Sequence, residues 1–385
     1  MYRGGAELAG DGSPWPGEAQ TLLLKAAIGP AEGVREVFER WKALTDIEAP
    51  VDGGTYRLLP LLYTRLSALG LDDPLLGRLK GVYRRGWYAN NLLFNRVAPA
   101  VAALEAAGIR TMVMKGLPIA LGCHSSHAAR PMADLDVVVR SVDMAAAQRI
   151  LTDLGWKAGS THLEHEAPDQ HAQDLHSPDG AEIDLHRHCL REAPSDGVDD
   201  WFWSDARPLT FAGVTSLQPG PTQMLTHTVL HGLRSNLEPP IRWISDAAAI
   251  LDRHGASIDW DGLIVFAETH RLCHRLALGL RYLAETFGQP APLHVIERLE
   301  AAGVSLIERV ENIVYLGPAR RMYQPRLFPL VDYWRFRRVR DRAEFWRRMP
   351  AYLTRRWRLR HPTMIPIAVA SSLLRRRSRR DHGQC

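Results

Sequence analysis

Apolar residues recur at helical spacing through the first hundred positions of the chain. Phe38 and Trp41 share one helix face, and a long helical segment is ended by Gly108. Because residues three or four apart lie on the same side of a helix, this spacing predicts helices throughout residues 21–106. Residues 1–20 are rich in glycine, proline and other small residues, which predicts a flexible leader.

After Gly108 the pattern changes to short apolar runs that contain β-branched residues. Such runs predict strands at 109–114 and 134–139, and further strand-like segments are predicted at 156–166, 171–176 and 182–186. A helix is predicted at 142–154. Helical spacing returns at Thr222, and no strand is predicted after His186.

This order of elements predicts an α+β protein. Its centre is a small mixed β-sheet over residues 107–191, flanked by the amino-terminal helices and by a carboxy-terminal helical domain, 192–330. An arginine-rich helical tail, 331–385, follows. The chemistry is expected where the sheet meets the two helical regions.

Three aspartates fall on two of the predicted strands. Side chains two residues apart on a strand point to the same side, so Asp134 and Asp136 project together. Asp184 and Glu182 share one face of a later strand, and Asp184 is preferred because Glu182 adjoins the preceding turn. Paired carboxylates repel unless a cation lies between them, and such oxygen ligands suit Mg²⁺. Asp134, Asp136 and Asp184 are therefore the predicted metal ligands and catalytic residues.

A phosphate-binding turn is predicted just before these carboxylates. Lys115-Gly116 leads from the first strand into a helix, where free backbone N–H groups attract phosphate and glycine allows a close approach. Arg130 lies in the loop that leads to Asp134, from which its planar guanidinium would reach a triphosphate. Lys115, Gly116 and Arg130 are therefore the predicted nucleotide-binding residues.

Three carboxylates that hold two metal ions form a clamp for an in-line displacement at phosphorus. The predicted reaction is nucleotidyl transfer, in which an acceptor attacks the α-phosphorus of a nucleoside triphosphate and pyrophosphate leaves. The same clamp also suits transfer of the terminal phosphoryl group, as in a kinase. A third interpretation is a non-catalytic module that binds nucleotides or other anions, and the three aspartates argue against it.

These residues resemble the uncharacterised nucleotidyltransferases of the DNA polymerase β superfamily, which are often encoded with polysaccharide or peptide-modification genes. The resemblance lies in the runs Val113–Gly116 and Arg130–Val139, which match the family pattern of LKG followed by R-x-x-x-D-(I/L)-D. Glu182–His186 resembles its third-carboxylate strand. Its helical segment, H-x-x-x-H followed by R-W-(I/L)-x-D, is matched by His227, His231, Arg242-Trp243 and Asp246. The similarity spans about residues 21–330.

The resemblance implies a polymerase β-like fold with Asp134 and Asp136 as metal ligands and Asp184 as the third acidic residue. It also implies two Mg²⁺ ions, with Mn²⁺ as a substitute, and a nucleoside triphosphate such as ATP. The acceptor would be a sugar, a peptide or a protein. Lys115-Gly116 replaces the Gly-Ser turn of better-known relatives, which leaves the phosphate contacts open.

Histidines also crowd the region of the predicted carboxylates. Those before position 190 are His162, His165, His171, His176, His186 and His188. No familiar zinc spacing joins them, so they are expected at the surface or facing the substrate. His227 and His231 lie one helical turn apart and either line a pocket or pack between helices. Asp246 is expected to pair with Arg242.

The net charge of +5 is unevenly distributed. From Arg320 onward nineteen arginines stand against four acidic residues, so this segment carries +15 and the remainder −10. Such a segment either contacts an anionic partner, such as a membrane surface, or is a solvated helix face. Nucleic-acid binding is disfavoured, because Tyr333 and Trp334 alternate with arginines as in packed or membrane-facing helices.

No apolar run reaches eighteen residues, so no membrane span is indicated, and no basic-then-apolar amino terminus with a cleavage site indicates a secretory signal. A cytoplasmic protein is therefore expected. The four cysteines lie far apart without a C-x-x-C pair and are expected to be free thiols.

Overall fold

The structure is a computed structural model that describes residues 14–47, 49–159, 171–234, 240–316, 329–330, 333–334 and 342–369. Its helices are α1 (Glu18–Ile28), α2 (Val34–Leu44), α3 (Gly53–Ala68), α4 (Leu76–Ala106), α5 (Gly116–Gly122), α6 (Met144–Asp153), α7 (Asp196–Ser204), α8 (Pro221–Gly232), α9 (Arg242–His254), α10 (Trp260–His270), α11 (Cys273–Phe287), α12 (Leu293–Ala301), α13 (Leu306–Tyr315) and α14 (Arg342–Arg356). Its strands are β1 (Met112–Met114), β2 (Leu135–Val138), β3 (Lys157–Ala158), β4 (Ala172–His176), β5 (Glu182–His186), β6 (Arg207–Phe211) and β7 (Val214–Gln218).

The amino-terminal helices form where the apolar spacing predicts them. α4 ends just before Gly108, whose φ of 78° favours glycine over other residues. α1 begins inside the predicted leader, because the ring of Trp15 packs against Trp243 and Tyr282 and orders the chain that enters this helix. Residues 1–13, the rest of that predicted leader, lie outside the described part of the chain.

The described strands join one mixed sheet in the order β3-β4-β5-β2-β1-β7-β6. β2 runs parallel to β5 and β1 runs parallel to β7, while the other neighbours are antiparallel. The predicted α+β class and the mixed sheet are therefore confirmed. β3 confirms the start of the strand predicted at 156–166, and residues 160–170 lie outside the described residues.

β6 and β7 correct the prediction that strands end at His186. Both lie beyond position 191, so the sheet continues into the region predicted to be helical. They form a hairpin whose turn residues, Ala212 and Gly213, have φ values of 44° and 80°, as in a type I′ turn. The sequence conceals this hairpin because β6 is an exposed edge strand without an apolar run.

Alternation along the strands gives the sheet two different faces. On one face Val113, Val137 and Leu185 pack with α6 and the second half of α4. The other face carries Met112 and Val138, which join the larger core formed by the amino-terminal helices and by α7 to α12. Further along this second face the apolar side chains give way to carboxylates, and this change locates the site.

The carboxy-terminal tail has a small core of its own. Tyr333 packs with Phe345, Tyr352 and Leu353 of α14, and its hydroxyl donates a hydrogen bond to the carbonyl of Phe345 at 2.7 Å. Among the described residues, no helix is both long and apolar enough to cross a membrane.

Candidate active site

The carboxylates stand in a row across three adjacent strands. Asp136 of β2 is paired with Asp184 of β5, which is paired in turn with Asp174 of β4. Directly paired residues project from the same face of a sheet, so these side chains are neighbours. Asp134 lies just before β2 rather than on it, and its charge acts on Glu182 at the start of β5.

Two overlapping groups of candidate metal ligands lie in this row. One atom each of Asp136, Asp184 and His186 lies within 4.8 Å of the others, and the same is true of Asp134, Glu182 and Asp184. The structure thus brings the three predicted aspartates to one place, with Asp184 common to both groups. It adds Glu182 and His186, whose i, i+2, i+4 spacing with Asp184 on β5 is the sequence signal that could have included them.

Asp136 is buried and is held by two donors. Lys115 Nζ forms an ion pair with Asp136 Oδ1, and His186 Nε2 lies 2.8 Å from the same oxygen. Burial alone would raise the pKa of Asp136, but the charge of Lys115 and the hydrogen bond of His186 outweigh burial and lower that pKa. Asp136 is therefore an anion at neutral pH.

For Asp184 and Glu182, neighbouring cations do not outweigh burial. Burial, reinforced by the negative charge of Asp136, raises the pKa of Asp184 to about 7. Burial and the charge of Asp134 likewise raise the pKa of Glu182. Full ionisation of the row is therefore opposed by burial and by like charge that Lys115 does not offset. Oxygen ligands with unbalanced negative charge fit a hard divalent cation such as Mg²⁺.

Lys115 and Gly116 form the turn between β1 and α5. Lys115 has φ 53° and ψ −106°, a backbone conformation that favours glycine. Gly116 has no room for a side chain, because a Cβ there would lie 2.5 Å from Met132 Sδ and 2.6 Å from Arg130 Nη1. The turn is thus packed directly against the loop before β2, and phosphate binding by this turn stays a prediction.

Arg130 is engaged by a buried carboxylate. Its Nε and Nη2 donate to the two carboxylate oxygens of Asp246 at 2.9 and 2.7 Å. Asp246 is thus hydrogen-bonded to Arg130 rather than to Arg242, the partner expected from the sequence. Arg242 instead donates to the carbonyl of Pro131 at 2.7 Å. The third guanidinium nitrogen of Arg130, Nη1, lies beside Gly116 in the turn. Contact of Arg130 with a triphosphate stays a prediction.

A buried asparagine that the sequence did not single out fixes the loop before β2. Asn90 lies on α4, and its amide nitrogen donates to the carbonyls of His127 and Arg130 at 2.8 and 3.0 Å. Its side-chain oxygen accepts from the backbone N–H of Met132 at 2.9 Å. One side chain therefore satisfies three backbone groups of the loop that leads into Asp134.

Four buried or half-buried histidines lie near the carboxylates. The rings of His171 and His186 meet edge to face with centroids 4.8 Å apart, and those of His227 and His231 stack 5.4 Å apart on α8. Burial lowers the pKa of each ring, and it lowers that of His227 to about 3. These imidazoles are therefore neutral at neutral pH and act as hydrogen-bonding groups.

The other histidines of the crowded region lie apart from this group. His176 is exposed, and His188 Nδ1 lies 2.7 Å from Asp199 Oδ2. Among the described residues, each group of three candidate ligands contains at most one histidine. His162 and His165 lie outside the described residues.

The carboxylates open into a cleft of about 680 Å³. The sheet, α5, α8 and α9 line one part of it. His227 and His231, whose rings stack on each other, face the cleft there. Helices α3 and α4 line another part with Tyr56, Arg57 and Arg85. Acidic groups and arginines thus face the same space, which suits a polyanionic substrate that binds together with cations.

The region that builds this cleft matches a known family. Residues 55–288 match the model of a family described as uncharacterised nucleotidyltransferase. The chain belongs to this family. All six site residues predicted from the sequence, from Lys115 to Asp184, lie within the matched residues of this nucleotidyltransferase.

Comparisons with solved structures and with curated proteins give no further support for this family assignment. The crystal structure of an antigenic nucleotidyltransferase-like protein from Paracoccidioides brasiliensis aligns with 55% of this chain and 94% of its own, at 15% identity and a TM-score of 0.34. Similarity at this level does not establish a common fold. No curated protein matches the chain. Family membership therefore rests on the match over residues 55–288.

Proposed function

We propose that this nucleotidyltransferase transfers a nucleoside monophosphate from a nucleoside triphosphate, such as ATP, to an acceptor and releases pyrophosphate, with Mg²⁺ as its cofactor. The observation that carries the proposal is the row of carboxylates centred on Asp184, which opens into a cleft that also contains arginines. Family membership supports transfer of a nucleotidyl group. The resemblance of residues 113–139 supports a core of the DNA polymerase β type.

The two ligand groups would hold two divalent cations, Mg²⁺ or Mn²⁺ in its place. Asp136 and Asp184 with His186 would hold one, and Asp134 and Glu182 with Asp184 the other. Such ions, when bound, supply positive charge that neutralises the phosphates and lowers the pKa of the acceptor hydroxyl. The carboxylates fit this role because Asp184 and Glu182 lie close to other carboxylates, and their raised pKa values mean that nearby cations do not offset this crowding.

Residues of the chain itself would position the two reactants. Lys115 and Gly116 line the cleft beside Asp136 and would receive the phosphates, while Arg57 and Arg85 of α3 and α4 line the same cleft and would add positive charge. An acceptor oxygen then forms a bond to the α-phosphorus as the bond from that phosphorus to the bridging oxygen breaks. Pyrophosphate leaves with the electron pair, and the acceptor proton is lost to water.

The acceptor is proposed only by class. The resemblance stated for the sequence implies a sugar, a peptide or a protein that offers a hydroxyl group. His227 and His231 are neutral and face the cleft, so they offer hydrogen bonds to an uncharged acceptor or to a base without adding charge.

The test is incubation of the purified protein with each of the four ribonucleoside triphosphates, Mg²⁺ and a panel of sugar, peptide and protein acceptors, with pyrophosphate as the readout. We expect pyrophosphate release that chelation of the metal abolishes and that Asp136→Asn lowers at least ~100-fold. Asp153→Asn, which changes an exposed aspartate on α6, is the matched control and should leave the rate unchanged.

The products distinguish this reaction from its alternatives. A nucleoside diphosphate in place of pyrophosphate would indicate a phosphotransferase. Turnover that Asp136→Asn leaves unchanged would exclude the proposed role of the carboxylate row. A protein that binds no triphosphate in the presence of Mg²⁺, and turns none over, would instead be a non-catalytic module.

A further inference from the structure

Lys115 occupies a backbone conformation that glycine would adopt at a lower cost. Its φ of 53° and ψ of −106° place its Cβ in steric conflict with the main chain. The neighbouring Gly116 is explained by its contacts, because Met132 and Arg130 leave no space for a Cβ. Lys115 has a different contact, an ion pair of its side chain with Asp136, which glycine could not make.

This ion pair places a positive charge at Asp136. Lys115 Nζ pairs with Asp136 Oδ1, which also lies 2.8 Å from His186 Nε2. Asp136 and His186 belong, with Asp184, to one of the two candidate ligand groups. The ammonium therefore lies where a divalent cation would have to approach, and two cations at one carboxylate repel each other strongly in a buried site.

We propose that Lys115 is a resident cation of the metal site, which neutralises Asp136 while the cleft is empty and moves to the phosphates when metal and triphosphate bind. The inference rests on the proposed function, because it takes Asp136 as a metal ligand. The flexible four-carbon stem of lysine permits this exchange of partners.

The exchange couples the two ligands. A metal ion that binds alone must displace the ammonium from Asp136 and leave it without a partner. When the triphosphate binds as well, the ammonium gains phosphate oxygens in place of the carboxylate. Metal and triphosphate should therefore each strengthen the binding of the other.

Lys115→Met tests the inference because it keeps an unbranched side chain, one atom shorter than that of lysine, and removes its charge. In the nucleotide-free protein, we expect Lys115→Met to bind Mn²⁺ at least ~10-fold more tightly than wild type, as measured from the electron paramagnetic resonance signal of free Mn²⁺. In saturating Mn²⁺, we expect it to bind a non-hydrolysable triphosphate analogue at least ~10-fold more weakly. Lys157→Met, at an exposed position of β3, is the matched control and should change neither affinity.

The opposite signs of the two effects separate this role from a structural one. A lysine that merely held Asp136 in place would, on removal, weaken both the metal and the triphosphate. Lys115→Gly removes the same charge without the backbone strain, so it provides a second variant with the same two expected changes. Unchanged or weaker Mn²⁺ binding in both variants would overturn the inference.

Asp136→Asn separates failure of the inference from failure of the proposed function. If Asp136→Asn binds Mn²⁺ as tightly as wild type does, Asp136 is not a metal ligand and both ideas are wrong. If Asp136→Asn loses Mn²⁺ while neither Lys115 variant gains affinity, only the role of Lys115 is wrong.

Discussion

His227 shows how burial fixes the charge of a residue beside the carboxylates. It is buried on α8, and burial, aided by the charge of Lys115, lowers its pKa to about 3. In the unfolded chain a histidine has a pKa of about 6.5. Between these values the folded state binds fewer protons than the unfolded state. The stability that neutral His227 contributes is therefore present above pH 6.5 and is lost as the pH falls toward 3.

We expect His227→Gln to make the free energy of unfolding less sensitive to acid. Because one proton fewer is taken up on unfolding, the slope of that free energy between pH 6 and pH 4 should fall by about 1.4 kcal/mol per pH unit. Denaturant unfolding at several pH values measures the slope. His294→Gln, at an exposed position of α12, is the control. A slope that His227→Gln leaves unchanged would mean that His227 is protonated in the folded protein.

Gly116 and Gly122, at the two ends of α5, provide a matched pair of substitutions. A Cβ at Gly116 would lie 2.5 Å from Met132 Sδ, whereas nothing lies within 4 Å of one at Gly122. We expect Gly116→Ala to destabilise the protein by about 1–3 kcal/mol and to weaken triphosphate binding, because the loop before β2 must move. Gly122→Ala should be neutral or stabilise by up to about 1 kcal/mol. Thermal unfolding and binding of a triphosphate analogue measure both, and equal effects would contradict the close packing at Gly116.

Local spacing explains which site residues the sequence reveals. Asp134 and Asp136 are two apart, and Asp184 lies on a strand with its own acidic spacing, so periodicity predicts the side of each strand on which they lie. The parallel pairing of β2 with β5, which brings Asp184 beside Asp136, joins segments far apart in the sequence. The ion pair of Arg130 with Asp246 joins residues 116 positions apart. No local pattern encodes such a pair. Local spacing instead suggests Arg242 as the partner of Asp246, and this prediction is wrong.

At the scale of elements, that ion pair ties the loop before β2 to α9. Both side chains are buried, so Asp246→Asn would leave the guanidinium of Arg130 without a charged partner. We expect a loss of about 3–5 kcal/mol in the free energy of unfolding, measured in urea. The pair of Arg281 with Glu300 has similar geometry, 2.6 and 2.7 Å, but is solvent-exposed. Glu300→Gln should therefore cost about 1 kcal/mol or less, and equal losses in the two variants would contradict this account.

The helices and the sheet differ in how far the sequence predicts them. Helical periodicity is local, and the amino-terminal helices lie where it places them. β7 pairs with β1 through the register of Met112 with Leu217, and the hydroxyls of Thr111 and Ser216 lie 2.6 Å apart. These contacts join segments about a hundred residues apart. They add β7 and the edge strand β6 to the sheet. The hairpin of β6 and β7 alternates apolar residues, such as Leu209, Phe211 and Val214, with polar ones, so it contains no continuous apolar run.

At the scale of the whole molecule, charge is divided between an acidic body and a basic tail. The segment from Arg320 onward carries +15 and the remainder −10. Between positions 342 and 369 seven arginines accompany one glutamate, and Trp346 and Ile367 are exposed. α14 buries Phe345, Tyr352 and Leu353 in the small core around Tyr333, and its Arg347, Arg348 and Arg356 are exposed. Exposed arginines beside an exposed tryptophan suit the interface of an anionic membrane.

We expect the protein to bind vesicles that contain phosphatidylserine, and to bind them less tightly as the salt concentration rises. Each arginine near such a surface contributes about 1 kcal/mol. Replacement of three exposed arginines, Arg347, Arg358 and Arg360, by glutamine should therefore weaken binding roughly 100-fold. Sedimentation with vesicles of defined composition measures the affinity.

The control for this experiment keeps the change in net charge and alters its location. Three exposed arginines outside the tail, Arg35, Arg40 and Arg309, are replaced by glutamine in the same way. If net charge alone governed binding, both triple variants would lose affinity equally, because long-range attraction depends on total charge. A loss confined to the tail variant would instead identify the tail as the contact, since local charges act only within about a Debye length of the surface. Absence of vesicle binding in the wild type would mean that these arginines form a solvated face.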